Sequence, residues 1–118
     1  MTLERRLRFT KMHSLGNDFV MLNGVDESID LSVEQARQLA DRHHGVGCDQ
    51  IILVQPADGE ADFLMRVFNT DGSESGQCGN GARCLGEFLR DQGLTSRESI
   101  HIQTQSTQFE PKMHIKIH

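Results

Sequence analysis

A cysteine in a glycine-rich segment is the residue of this chain best placed to do chemistry. Cys78 is followed by Gly79, Asn80 and Gly81, and the apolar residues after them recur at the spacing of a helix. Cys78 is therefore expected at or just before a helix N-terminus, where backbone amides lack acceptors and negative charge is favoured. A thiol there ionises more easily, and the thiolate is the reactive form. Such a segment could hold a carboxylate and present a base to the neighbouring carbon.

The sequence alone leaves other interpretations of Cys78 and of the histidines open. An isolated cysteine is most often a small buried hydrophobic residue, and many loops place two glycines before a helix. The segment is not a P-loop, because no Lys-Ser or Lys-Thr pair follows Gly81. The pair His43 and His44, with Cys48 nearby, matches no common zinc spacing, so we expect no metal ion.

A strand, a loop and a helix must position Cys78. The apolar run at residues 63–68 predicts a buried strand, and a polar, glycine-rich loop at residues 69–77 follows it. A helix is predicted over about residues 80–92, ended by Gly93 as a C′ residue. Its apolar residues cover more than one stripe, so we expect it to be largely buried. Cys84, inside this helix, is expected to pack.

A hairpin is predicted near the N-terminus. Residues 7–11 alternate as in a strand, residues 13–17 form a turn with Gly16 at positive φ, and residues 18–22 return as an apolar strand. Asn17 then lies near the hairpin tip. From the residues alone, Asn17 is more simply a turn residue that bonds its own backbone.

A surface helix is predicted over residues 31–43. Ser32 is a natural N-cap, and Gln35 completes a capping box. Gly45 is expected to end the helix. Its apolar stripe would consist of Val33, Ala36, Leu39 and Ala40.

Further strands complete the predicted architecture. Residues 51–54 form a short β-branched run with Gln50 at its start, and residues 99–105 and 114–118 alternate. Several strands with one surface helix and one buried helix predict an α+β fold. A length of 118 residues favours a single domain over residues 1–118.

Composition and charge exclude several classes of protein. Hydrophobic residues make up 36% and charged residues 25%, which is ordinary for a soluble globular protein. The net charge of −5 and the lack of a basic cluster give no support for nucleic-acid binding. No apolar run approaches membrane-spanning length, so no membrane partner is expected. Three cysteines without a disulfide framework favour the reducing cytoplasm.

Three ordered motifs resemble those of the N-terminal half of the diaminopimelate epimerase family. They read Lys11-Met12-His13-x-x-Gly16-Asn17-Asp18-Phe19, then Arg42-His43-x-Gly45-Val46-Gly47-x-Asp49-Gln50, then Asn69-x-Asp71-Gly72-Ser73-Glu74 followed by Cys78-Gly79-Asn80-Gly81-Ala82-Arg83-Cys84. The resemblance covers most of the chain and fades after about residue 105. It implies a curved, mostly antiparallel sheet wrapped around a central helix, which is one of two pseudo-symmetric domains in the full enzyme.

The resemblance also implies an activity and a site. Enzymes of this family interconvert LL- and meso-diaminopimelate in lysine and peptidoglycan precursor synthesis, without a cofactor, through two cysteines on opposite faces of the substrate. Cys78 would be one of these cysteines. The substrate-binding residues would be Asn17, Gln50, Asn69, Gly79 and Asn80, so the resemblance reverses the turn interpretation of Asn17.

The chain departs from the family pattern in ways that leave alternatives open. A second cysteine motif and the family's glutamate–arginine pair are absent, so the chain resembles a truncated enzyme and is expected to be inactive alone. Cys48 stands where the family usually has an apolar residue. Another two-thiol racemase of the proline racemase type, a catalytically silent binding domain, and a homodimer that pairs two Cys78 thiols remain alternatives. The motif after Cys78 favours the epimerase.

Overall fold

The structure is a computed structural model that describes residues 7–75, 79–104 and 112–116. Strands and two helices make up this part of the chain. The elements are β1 (Thr10–Ser14), β2 (Asn17–Asn23), α1 (Val33–Ala40), β3 (Gln50–Pro56), β4 (Phe63–Asn69), β5 (Glu74–Ser75), α2 (Gly79–Asp91), β6 (Ser99–Thr104) and β7 (Lys112–Lys116).

The strands form one mixed sheet. Its order is β1-β2-β3-β4-β6-β7, and the short β5 pairs with β4 off this path. Four of the six pairings are antiparallel, and the pairs β2–β3 and β4–β6 are parallel. Each parallel pair is joined by a connection that contains a helix, as parallel strands require. The predicted α+β class with a mostly antiparallel sheet is confirmed.

The sheet is covered on both faces, and this explains why β2 and β3 read as continuous apolar runs. Successive side chains of a strand point to opposite faces. One face packs with α2, in a cluster that includes Phe19, Met21, Ile52, Val54, Leu85, Phe88 and Leu89. The other face packs with α1, in a cluster that includes Val20, Leu22, Ile51, Leu53, Phe68, Ala36 and Ala40.

The hairpin of β1 and β2 turns as predicted. Leu15 and Gly16 have φ of 52° and 87°, and Ser14 pairs with Asn17 beside the turn. Glycine adopts positive φ without strain, and Gly16 has the larger of the two φ angles. The strand begins at Thr10, so the alternation over residues 7–11 overestimated its length at the N-terminal side.

The start of α1 agrees with the sequence. Gln35 N donates to Ser32 Oγ at 3.1 Å, and Ser32 N donates to Gln35 Oε1 at 2.9 Å, which is the predicted capping box. The predicted apolar stripe is partly wrong, because Val33 in the first turn is 60% exposed. Ala36 and Ala40 are buried.

The end of α1 differs from the prediction. The helix stops at Ala40, and Gly45 lies in the turn that follows. The segment after the helix folds back, so that Val46 N and Gly47 N donate to the Leu39 carbonyl at 3.1 and 3.0 Å. A Cβ on Gly45 would lie 1.9 Å from the Gln38 carbonyl oxygen. The glycine therefore permits a close return over the helix end and does not mark that end.

The C-terminus of α2 has the predicted glycine cap. Gly93 has φ of 71°, Gly93 N donates to Arg90 O at 3.1 Å, and Leu94 N donates to Leu89 O at 2.9 Å. This pair of bonds is a Schellman motif. The prediction that α2 is more buried than α1 is also confirmed, since α2 buries Cys84, Leu85, Phe88 and Leu89.

The loop predicted at residues 69–77 contains a strand that the sequence did not indicate. In β5, Glu74 pairs with Phe68 of β4, and Glu74 forms an ion pair with Arg66. The Arg66 guanidinium also lies 5.2 Å from the centroid of the Phe68 ring. These contacts fix the chain on its way towards residue 78.

Candidate active site

Three of the predicted binding residues lie at one end of the sheet. Asn17 begins β2, Gln50 begins the parallel strand β3, and Asn69 ends β4. Phe19 is the register partner of Gln50, and Gln50 is the partner of Asn69. Because parallel strands begin at the same end and an antiparallel strand finishes there, the sheet brings Asn17, Gln50 and Asn69 together.

The Asn69 side chain has a fixed orientation. Its Oδ1 accepts from Gln50 Nε2 at 3.1 Å, and its Nδ2 donates to Ser73 Oγ at 3.1 Å. A primary amide has two N–H donors and two lone pairs. One N–H and one lone pair of the Asn69 amide therefore remain outside these two bonds.

A tight turn after β4 holds Asn69 in place. Asn69 N donates to Ser73 O at 2.8 Å, and Gly72 N donates to Asn69 O at 2.9 Å. Asp71 Oδ1 accepts from Ser73 N at 2.9 Å and from Ser73 Oγ at 2.6 Å. These bonds from Ser73 lower the pKa of the Asp71 carboxyl. The carboxylate thus closes the turn while ionised.

Gly72 joins this turn to α1. It has φ of 87°, and a Cβ on it would lie 2.4 Å from the Val33 carbonyl oxygen. Glycine is the residue that fits both the angle and the close approach. The turn that carries Asn69 is therefore docked against the start of a helix.

The C-terminal end of α2 lies beside the end of β2. Asn23, at the end of β2, donates through Nδ2 to Gln92 Oε1 at 3.2 Å, next to the end of α2. Gly79 and Asn80 form the first turn, at the opposite end of this helix. Cys78 lies outside the described residues, so its place before α2 stays a prediction.

Charged residues surround the start of β2. Asp18 accepts two bonds from Arg42, at 2.8 and 3.0 Å, and pairs with Lys11 Nζ at 2.9 Å. Hydrogen bonds from Arg42, then from Lys11, hold the pKa of the Asp18 carboxyl well below its usual range, against the opposing effect of burial. Asp49 accepts a further bond from Arg42 at 3.1 Å.

Sequence reasoning did not assign these four charged residues a role. Lys11, Asp18, Arg42 and Asp49 were identified only as members of motifs. The available signal was their position: Asp18 follows Asn17 directly, and Asp49 directly precedes Gln50. Their contacts join positions 24 and 31 residues apart, which no local pattern reveals.

The two other cysteines lie in the core. Cys48 and Cys84 are free thiols with exposed fractions of 1% and 3%. Burial raises the pKa of both thiols, and Glu87 adds to the effect at Cys84. They remain protonated and pack as small hydrophobic residues, as the sequence predicted.

Two further findings concern the described part of the chain. It contains no group of three or more histidine, cysteine, aspartate or glutamate side chains that could hold a metal ion. No helix within it is long and apolar enough to span a bilayer.

Comparison with known proteins decides the family. The sequence model of the family described as diaminopimelate epimerase matches residues 9–118. This chain belongs to the diaminopimelate epimerase family. The relative named diaminopimelate epimerase from Nitrosospira multiformis is 53% identical over 108 residues, and that from Teredinibacter turnerae is 54% identical over 100.

Both relatives are much longer than this chain. The matches cover 92% and 84% of this chain but 39% and 36% of the Nitrosospira and Teredinibacter proteins. The chain thus spans less than two fifths of the relatives that it matches.

Solved structures show the same fold. A methylitaconate-delta-isomerase matches 93% of this chain and 58% of its own with a TM-score of 0.70 and 18% identity. The Bacillus anthracis phenazine biosynthesis protein of the PhzF family matches 93% of this chain and 34% of its own, with a TM-score of 0.64 and 23% identity. At such identities the likeness concerns the fold alone.

Proposed function

We propose that this chain supplies one half of the active site of a diaminopimelate epimerase, which interconverts LL- and meso-diaminopimelate without a cofactor. The observation that carries the proposal is the common location of Asn17, Gln50 and Asn69 at one end of the sheet. Membership of the diaminopimelate epimerase family supports the choice of substrate over proline.

Cys78 is the acid or base on one face of the substrate. As a thiolate it takes the α-proton, so that the C–H bond breaks and an S–H bond forms. A second thiol, from outside this chain, delivers its proton to the opposite face of the same carbon. In the reverse direction the two thiols exchange roles, and no electron leaves the system.

The first turn of α2 binds the substrate α-carboxylate. Backbone amides of Gly79 and Asn80 donate to its oxygens, and the helix dipole adds positive charge there. Negative charge spreads onto this carboxylate when the α-proton leaves. Donors aimed at that charge stabilise the transition state more than the ground state.

Asn17, Gln50 and Asn69 bind the part of diaminopimelate remote from the reacting carbon. That end carries an ammonium and a carboxylate, and amide side chains offer an acceptor for one and a donor for the other. The substrate is a small molecule in the cytoplasm, where reduced thiols persist. Cys84 is not the second thiol, since its side chain is buried in the core on the inner face of α2.

A chimeric enzyme tests the proposal. The chain replaces the matching 39% of the Nitrosospira multiformis relative, and conversion of LL- to meso-diaminopimelate is measured for wild type, Cys78→Ala and Cys84→Ala. The proposal expects conversion by the wild type and by Cys84→Ala, and none by Cys78→Ala. Full activity of Cys78→Ala would refute its assignment. Conversion of proline and not of diaminopimelate would indicate a proline racemase. Absence of deuterium exchange at Cα would indicate a catalytically silent binding domain.

A further inference from the structure

Two aspartates next to the binding residues bond each other's backbone. Asp18 N donates to Asp49 Oδ2 at 3.0 Å, and Asp49 N donates to Asp18 Oδ1 at 2.8 Å. Asp49 N also donates to the Asp18 carbonyl at 3.0 Å. These reciprocal bonds fix the two chain segments at the positions where Asn17 and Gln50 are attached.

Two cations make this arrangement of carboxylates stable. Arg42 bridges both aspartates. Its Nη2 lies 2.8 Å from Asp18 Oδ1 and 3.1 Å from Asp49 Oδ1, and its Nη1 lies 3.0 Å from Asp18 Oδ2. Lys11 Nζ lies 2.9 Å from Asp18 Oδ2. Two positive and two negative charges balance, and the planar guanidinium fork satisfies both oxygens of Asp18. We call Lys11, Asp18, Arg42 and Asp49 the charge clamp.

The segment that carries Arg42 is itself anchored to the hairpin. Lys11 Nζ donates to the Gly47 carbonyl as well as pairing with Asp18. Gly47 has φ of 82°, and a Cβ on it would lie 2.9 Å from the Arg42 Cα. The turn between α1 and β3 therefore closes tightly on itself and on β1.

The size of each effect indicates what the charge clamp does. The Arg42 and Asp49 side chains are 55% and 45% exposed, and the Asp18 side chain is 13% exposed. Solvent reaches Arg42 and screens its ion pairs, which limits their contribution to the free energy of unfolding. A misplacement of a site by about 1 Å can lower activity about a hundredfold. We therefore expect these contacts to affect the positions of Asn17 and Gln50 more than the stability of the fold.

We propose that the charge clamp positions Asn17 relative to Gln50 and thereby determines affinity for the zwitterionic end of diaminopimelate. Its residues are positioning residues, because they act through their neighbours in the chain. The link to substrate rests on the proposed function, whereas the link to backbone order at Asn17 and Gln50 depends on this structure alone.

The first test follows the backbone amides of Asn17 and Gln50 by ¹⁵N relaxation in the 118-residue chain. Arg42→Lys retains the charge and removes the fork. The matched control is Arg97→Lys, which alters an exposed ion pair with Asp62 of 2.7 Å. We expect both amides to become mobile in Arg42→Lys and to stay ordered in Arg97→Lys. Unchanged order in Arg42→Lys would overturn the proposal.

The second test measures binding of meso-diaminopimelate by calorimetry. Arg42→Lys should weaken binding about tenfold or more, with little change in melting temperature. In an Asn17→Ala, Gln50→Ala background the same change should have almost no further effect, since coupled residues are not additive. Equal losses in both backgrounds would show that Arg42 acts independently and would refute positioning. If the wild-type chain does not bind, the proposed half-site fails, and the relaxation result still decides about the clamp.

Discussion

Gln50 and Asn69 face each other across β3 and β4, and Gln50 Nε2 donates to Asn69 Oδ1 at 3.1 Å. Two residues that are 19 positions apart are thus joined into one pair of amides at the end of the sheet. Because Asn69 also donates to Ser73, its amide cannot flip without losing both bonds. The pair therefore has a defined arrangement of donors and acceptors.

Asn69→Ala should impair substrate handling more than folding. The lost hydrogen bonds are partly exposed and contribute about 1 kcal/mol each at most. We expect a small drop in melting temperature and a clear rise in the KM of the chimeric enzyme for diaminopimelate. Asn69→Asp, which retains the acceptor and loses the donor to Ser73, is the matched control. A large drop in melting temperature with normal kinetics would make Asn69 a turn residue only.

Gly72→Ala and Gly93→Ala form a matched pair. Both glycines have positive φ, of 87° and 71°, so both substitutions strain the backbone by about 1 kcal/mol. An added Cβ meets nothing within 4 Å at Gly93 but lies 2.4 Å from Val33 O at Gly72. Gly72→Ala should therefore also displace the turn that holds Asn69 and weaken diaminopimelate binding. Equal binding by the two variants would contradict this.

Alkylation should distinguish the three cysteines. Cys48 and Cys84 are buried and have raised pKa values, so iodoacetamide should modify Cys78 alone in the folded chain. All three should react in urea, which is the control. Peptide mass spectrometry identifies the modified thiol. Rapid modification of native Cys84 would contradict its place in the core.

Cys84→Ala should lower stability and leave catalysis intact. The change removes one buried sulfur atom, and we expect a loss of about 1 kcal/mol in the free energy of unfolding. Urea unfolding measures it, with Cys78→Ala as the comparison. A Cys84→Ala variant as stable as wild type would argue against the packing of the Cys84 side chain in the core.

Low pH should reduce the contribution of Asp18 to the free energy of unfolding. Its lowered pKa means that the folded state favours the carboxylate, which stabilises the fold above the unfolded value of about 3.9. This stability is lost as the pH falls from there towards the lowered value. The difference in unfolding free energy between wild type and Asp18→Asn should therefore be constant near neutrality and shrink below about pH 4. A difference that stays constant down to pH 2 would be the contrary result.

Local sequence signals predicted most helices and strands. The features that were not predicted, the end of α1 and the strand β5, depend on contacts between distant residues. The capping box at Ser32 and the glycine cap at Gly93 depend on neighbours in sequence, and both were predicted correctly. The end of α1 depends on amides of residues 46–48 that return to its last carbonyls. The strand β5 is two residues long and is defined by its pairing with β4.

The candidate site residues were predicted from a resemblance, whereas the charge clamp was not predicted. Asn17, Gln50 and Asn69 belong to motifs, so a resemblance could identify them before any geometry was known. The charge clamp joins Asp18 to Arg42 and Asp49 across three segments. Pairing of charges at such separations follows from the fold and not from any spacing along the chain.

Epimerisation by the 118-residue chain alone tests the central claim, that it carries one half of a two-thiol site. Cys78 is the single cysteine followed by glycine in this sequence, and the proposed mechanism requires a second thiol on the opposite face of the substrate. LL-diaminopimelate is incubated with the chain, meso product is measured, and sedimentation reports the state of association. We predict no appreciable conversion by the monomer. Robust conversion by a monomer would contradict both the two-thiol mechanism and the half-site.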